Sequence, residues 1–103
     1  MINVIPIPID DQIALGISVA LPKTNLVMVT TPKGYIMCGA LDVGLLNEKL
    51  ADRGIIAARA VGVKTLDQLL DAPMESCTLK AQELGIAPGT IGRDAIKKML
   101  ELE

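Results

Sequence analysis

Histidine, tryptophan and phenylalanine are absent from the 103 residues, and Tyr35 is the lone aromatic side chain. Without imidazole, a Ser-His or Cys-His catalytic pair within one chain is excluded, and so is a histidine metal site. Base stacking on aromatic rings, which single-strand and RNA-reading modules use, has one tyrosine to work with. Basic clusters are equally scarce. Lys97-Lys98 is offset by Asp94, Glu101 and Glu103, and the net charge is −2, so no nucleic-acid partner is expected.

Long hydrophobic runs are missing too. No stretch nears the roughly 18 apolar residues that span a bilayer, and Asp11 to Pro22 alternates instead. The N-terminus lacks a basic n-region and a small-residue cleavage site, so the expectation is a cytoplasmic, unprocessed chain without a membrane partner. Cys38 and Cys77 form neither a CxxC nor a zinc pattern. No P-loop, dinucleotide fingerprint or nucleophile elbow occurs, and no cofactor or metal is expected.

What the chain has in excess is apolar material. Half the residues are hydrophobic, and a domain this short buries only about two-thirds of the surface of its unfolded chain. Some of that material must lie outside the core. The first forty residues carry just four charged side chains, Asp10, Asp11, Lys23 and Lys33, and such depletion marks a buried patch.

Ile2 to Ile9, INVIPIPI, carries Pro6 and Pro8 on one side of an extended segment; proline cannot donate to a ladder, so this piece belongs at a sheet edge or in an arm. After a turn at Asp10-Asp11, Gln12 to Leu21 alternates. Ile13, Leu15, Ile17, Val19 and Leu21 share one face, and the small side of Ala14, Gly16, Ser18 and Ala20 suits close approach of another backbone. Such a strand is buried on both sides within its own domain or forms a subunit interface, and the charge depletion favours the interface. Strands Leu26–Thr30 and Tyr35–Cys38, joined by a type I turn at Thr31 to Gly34, complete an antiparallel meander.

Beyond Gly39 the period becomes helical. Asp42 is a predicted N-cap before Val43, Leu46 and Leu50, with Gly54 at the C′ place. A short strand follows from Ile55 to Val61. Thr65 and Gln68 make a capping box before Leu66, Leu69 and Leu70, and Pro73 stops that helix. Met74 to Cys77 suits a strand. Thr78 caps a helix through Leu84 that Gly85 closes, Pro88-Gly89 turns the chain, and a last helix starts near Ile91 or Arg93. The expected architecture is one α+β domain over residues 1–103, α/β-like in its second part. Residues 1–40 are its β-rich oligomerisation region and residues 41–103 its helix/strand part.

Candidate chemistry gathers where the meander meets the first helix. Cys38 ends a strand, Gly39 leaves room for a ligand, and a nearby helix start can lower a thiol pKa. Asp42 opposes an anion there, and a buried structural thiol is the commoner state of free cysteine. Arg59 lies in an apolar strand, where it pairs with a carboxylate (Asp42, Asp67 or Asp71) or holds an anionic ligand. Lys23, Lys33, Asn25 and Tyr35 lie in or near the meander turns, and Gly92-Arg93 offers exposed amides to an anion.

Residues 34–50, GYIMCGALDVGLLNEKL, resemble the YunC-like family of small bacterial and archaeal proteins of unknown function. The likeness continues through Arg53-Gly54-Ile55, Ala58 to Val63, TLDQLLDAP at Thr65 to Pro73, Leu84-Gly85-Ile86, Pro88-Gly89 and Gly92 to Ala95. It implies an N-terminal β-region used for tetramerisation, and it supplies no reaction. The expected function is a homo-oligomeric small-molecule-binding or structural module, a tetramer, with Gly39, Asp42 and Arg59 near any pocket for a small anionic ligand. The alternative is a thiol-dependent enzyme with Cys38 as nucleophile and Arg59 holding the substrate; an adaptor using the same apolar face on another partner is a third reading.

Overall fold

Period-two patterning becomes sheet from the start of the computed structural model, which describes residues 2–39 and 53–102. Strands β1 (Ile2–Ile9), β2 (Gln12–Leu21), β3 (Thr24–Thr30) and β4 (Tyr35–Met37) follow one another as antiparallel neighbours. Tight turns make this possible. Asp10 and Lys23 take positive φ, 54° and 64°, and Pro22 before Lys23 gives the pattern of a type II turn. At Thr31 backbone and side chain close the turn together: its N–H donates to the Gly34 carbonyl at 2.8 Å, and its hydroxyl oxygen accepts from the N–H of Lys33 and Gly34 and donates to the same carbonyl.

Strand β5 (Ala57–Arg59) then pairs parallel to β4, and β6 (Ser76–Cys77) pairs antiparallel to β5. The result is a six-stranded mixed sheet in sequential order. The predicted helix from Asp42 across Val43, Leu46 and Leu50 lies outside the described residues, whereas Gly54 has the positive φ (61°) of a C′ residue.

Three described helices follow. Helix α1 (Leu66–Asp71) begins as the capping box predicts, with Thr65 Oγ1 accepting from Gln68 N–H. The reciprocal bond reaches one residue further back, Gln68 Oε1 accepting from Lys64 N–H at 2.8 Å. Helix α2 (Leu79–Glu83) is capped by Thr78, and α3 runs Gly92–Leu100. Helices α1 and α3 pack on one face of the sheet and on each other. A Cβ at Gly16 would meet Ile7 and Leu66, and one at Gly92 would collide with the Leu69 carbonyl, so both glycines permit close approach. The core between the layers is Val27, Val29, Ile36, Leu69, Met74, Ile86, Ile96 and Met99, all fully buried.

Strand register fixes which residues share a face. Ala14, Gly16, Val27, Val29, Ile36, Cys38, Ala58 and Cys77 point toward the helices. Ile2, Val4, Pro6 and Pro8 of β1 point away, with Ile13, Leu15, Ile17, Val19 and Leu21 of β2 and Leu26 and Met28 of β3. The small side of β2 is therefore claimed by the protein's own core, where it admits Leu66. Its large side is the bare one: Ile13 is 65%, Leu21 45% and Leu15 42% exposed.

Register also sets the edge. Cys38 N–H donates to the Val27 carbonyl at 3.1 Å, which makes Val27 bond toward β4 and, by alternation, turns the main-chain groups of Ile2, Val4, Pro6 and Pro8 to the open side of β1. Both prolines therefore sit where no ladder bond is asked of them. β1 is an edge strand, as its composition predicts.

Candidate functional site

The end of β4 carries the cysteine singled out by sequence, and the ladder decides its environment. Cys38 lies on the helix-facing side with Val27 and Ile36, 6% exposed within the main core cluster. Arg59 is opposite Met37 in the parallel β4–β5 pair, on the outer side. Cys38 and Arg59 thus face opposite sides of one sheet. A nucleophile at Cys38 and a substrate anchor at Arg59 are not brought together. Gly39 is exposed, and a Cβ there would make only ordinary contact with Val61. Asp42 lies outside the described residues.

Among the described residues Arg59 has the carboxylate partner its setting demands, Glu75 rather than Asp67 or Asp71, while Asp42 lies outside them. Arg59 Nε and Nη2 each lie 3.3 Å from an oxygen of Glu75 in a forked pair. Glu75 is carried there by the antiparallel β5–β6 pairing, and its own N–H donates to the Arg59 carbonyl at 2.7 Å. Hydrogen bonding from Ser76, and then from Arg59, holds the Glu75 carboxyl below its ordinary value. Cys77, also buried in the core, has its thiol pKa raised by desolvation.

One other expectation meets a physical obstacle. The Gly92 amide at the start of α3 is taken, donating to the Ala72 carbonyl at 2.9 Å, and Gly92 is buried. Within one chain Lys23 and Asn25 sit at the β2–β3 turn, while Lys33 and Tyr35 lie at or beside the β3–β4 turn. Lys23 and Asn25 line a cleft of about 380 Å³, together with Leu21, Thr24 and Lys64. Lys64 joins it from the chain before α1, and no local spacing announces that meeting. A larger cleft of ≈ 480 Å³ along α3 mixes Asp94, Lys97, Lys98 and Glu101; there Lys97 pairs with Asp10, and Lys98 donates to the Gly85 carbonyl.

Among the described residues, no group of three or more His, Cys, Asp and Glu side chains is placed to hold a metal. None of the described helices is long and apolar enough to cross a membrane.

Comparison with known proteins matches these features to a family. The chain is 58% identical to the uncharacterized protein YunC of Bacillus subtilis (strain 168) over 101 residues, 98% of this chain and all of that protein. The crystal structure of a protein of unknown function, TA1206 from Thermoplasma acidophilum, superposes with a TM-score of 0.85 at 34% identity, covering 96% of this chain and 93% of the other. Residues 37–99, from the end of β4 into α3, match the model of a domain of unknown function, DUF1805. The resemblance first read in GYIMCGALD and TLDQLLDAP thus extends over both halves of the sheet, and the chain belongs to the YunC-like, DUF1805 family.

Proposed function

We propose that this protein is a self-associating binding or structural module whose assembly surface is the outer face of β1–β3, seated against the same face of a second copy. The observation that carries the reading is the chemistry of that face. Ile2, Val4, Ile13, Leu15 and Leu21 stand exposed on it, and its register positions in β1 and β2 include no charged residue. The bare apolar area is on the order of several hundred Å², comparable with the roughly 800 Å² each partner contributes to a standard interface. A face without charge matches its own copy, as a two-fold contact requires. Four copies, the number the family resemblance implies, need a second contact in addition.

A binding or structural role is favoured over thiol catalysis because Cys38 lies under the sheet and away from Arg59. Light scattering with native mass spectrometry tests the assembly. Wild type is expected at a fourfold multiple of its 10.9 kDa chain mass, and Ile13→Asp at a smaller one. Ile13 is mostly solvated in the single chain, so aspartate there spares the fold while burying an unpaired charge at the interface. Wild type at the mass of one chain, or Ile13→Asp at unchanged mass, overturns the assignment.

A further inference from the structure

We infer that the cleft between the β2–β3 turn and the start of α1 binds a small oxyanion of the phosphate type. Lys23 and Lys64 both line it, with the Thr24 hydroxyl, the Asn25 amide and the apolar Leu21. Among the described residues no carboxylate lines it. Neither lysine has an ion pair among the described residues, whereas Lys80 and Lys97 each have an acidic partner. Two like charges directed into one hollow repel unless an anion lies between them, and lysine serves phosphate as a point charge. The hydroxyl and amide add neutral donors for the remaining oxygens.

The frame around the cleft is fixed before any ligand arrives. Lys23 is held at φ 64° behind Pro22 in a two-residue turn. Lys64 is held through its N–H, which donates to Gln68 Oε1 at the capping box. The volume of ≈ 380 Å³ suits a small metabolite and lies within the range of ordinary ligand sites. Sequence alone supplied two of its five lining residues, Lys23 and Asn25. Every lining residue belongs to one chain, and Leu21 is the one shared with the proposed assembly face.

The test uses the full chain in its native assembly, titrated with inorganic phosphate at constant ionic strength set by chloride, and followed by amide NMR shifts. Saturable shifts are expected at Thr24, Asn25, Lys23 and Lys64, with affinity reduced about tenfold or more by Lys23→Gln or by Lys64→Gln, as for loss of one charge-assisted contact. Both lysines are exposed, so the variants keep the fold, and an unchanged spectrum elsewhere verifies it. Shifts that never saturate, or binding equal in wild type and in the Lys23→Gln/Lys64→Gln double variant, overturn the proposal.

Discussion

A thiol reacts as its thiolate and only where a reagent can reach it. Cys38 is out of reach, buried in the core cluster that holds Val27, Ile36 and Ala58; Cys77 is buried there too, and burial raises its pKa. Iodoacetamide is therefore expected to leave both side chains unmodified in the native protein and to alkylate both in urea, as read by mass spectrometry. Fast native labelling of Cys38 would restore a thiol chemistry. At this scale the sequence told residue character well and residue partnership poorly. That Arg59 needed a carboxylate followed from its apolar neighbours, yet Glu75 was missed because it reaches Arg59 through sheet pairing, which no local spacing records.

Among elements, the caps were the most legible features, because a cap is a contact between residues three apart. Thr65 and Thr78 both begin helices as predicted, but they do unequal amounts. Thr65 is exposed and satisfies one N–H. Thr78 is 3% exposed; its hydroxyl donates to the Ile55 carbonyl at 2.6 Å and accepts from the N–H groups of Ala57 and Ala81. Thr65→Ala should cost about 1 kcal/mol. Thr78→Ala should cost roughly 2–4 kcal/mol, since it removes a cap and strands buried groups at the start of β5. Urea unfolding of both variants checks the order, and Thr78→Ser, which keeps the hydroxyl, should recover most of the loss. The direction of β2 was the element that composition misplaced. Alternation shows that a strand has two faces, and both of these are apolar. The packing of α1 and α3 on β2, with Leu66 against Gly16, decides that the small face turns inward.

The whole molecule combines a bare apolar face with a guarded edge, and the two together bear on the proposed self-association. An edge strand with free N–H groups recruits further strands without limit. On the open side of β1, Ile2 and Val4 present N–H groups, while Pro6 and Pro8 present none. Sheet extension along β1 is blocked over half its length, which under the proposed self-association favours face-to-face packing as the route to a closed assembly. Replacing both prolines, Pro6→Val with Pro8→Thr, restores two donors to the edge without adding charge to the face. The double variant is expected to lose the discrete mass of the wild type and to form larger species that grow with concentration in light scattering. Retention of the wild-type mass across the same concentrations would mean that the prolines do not guard the edge, and that the outer face alone limits assembly.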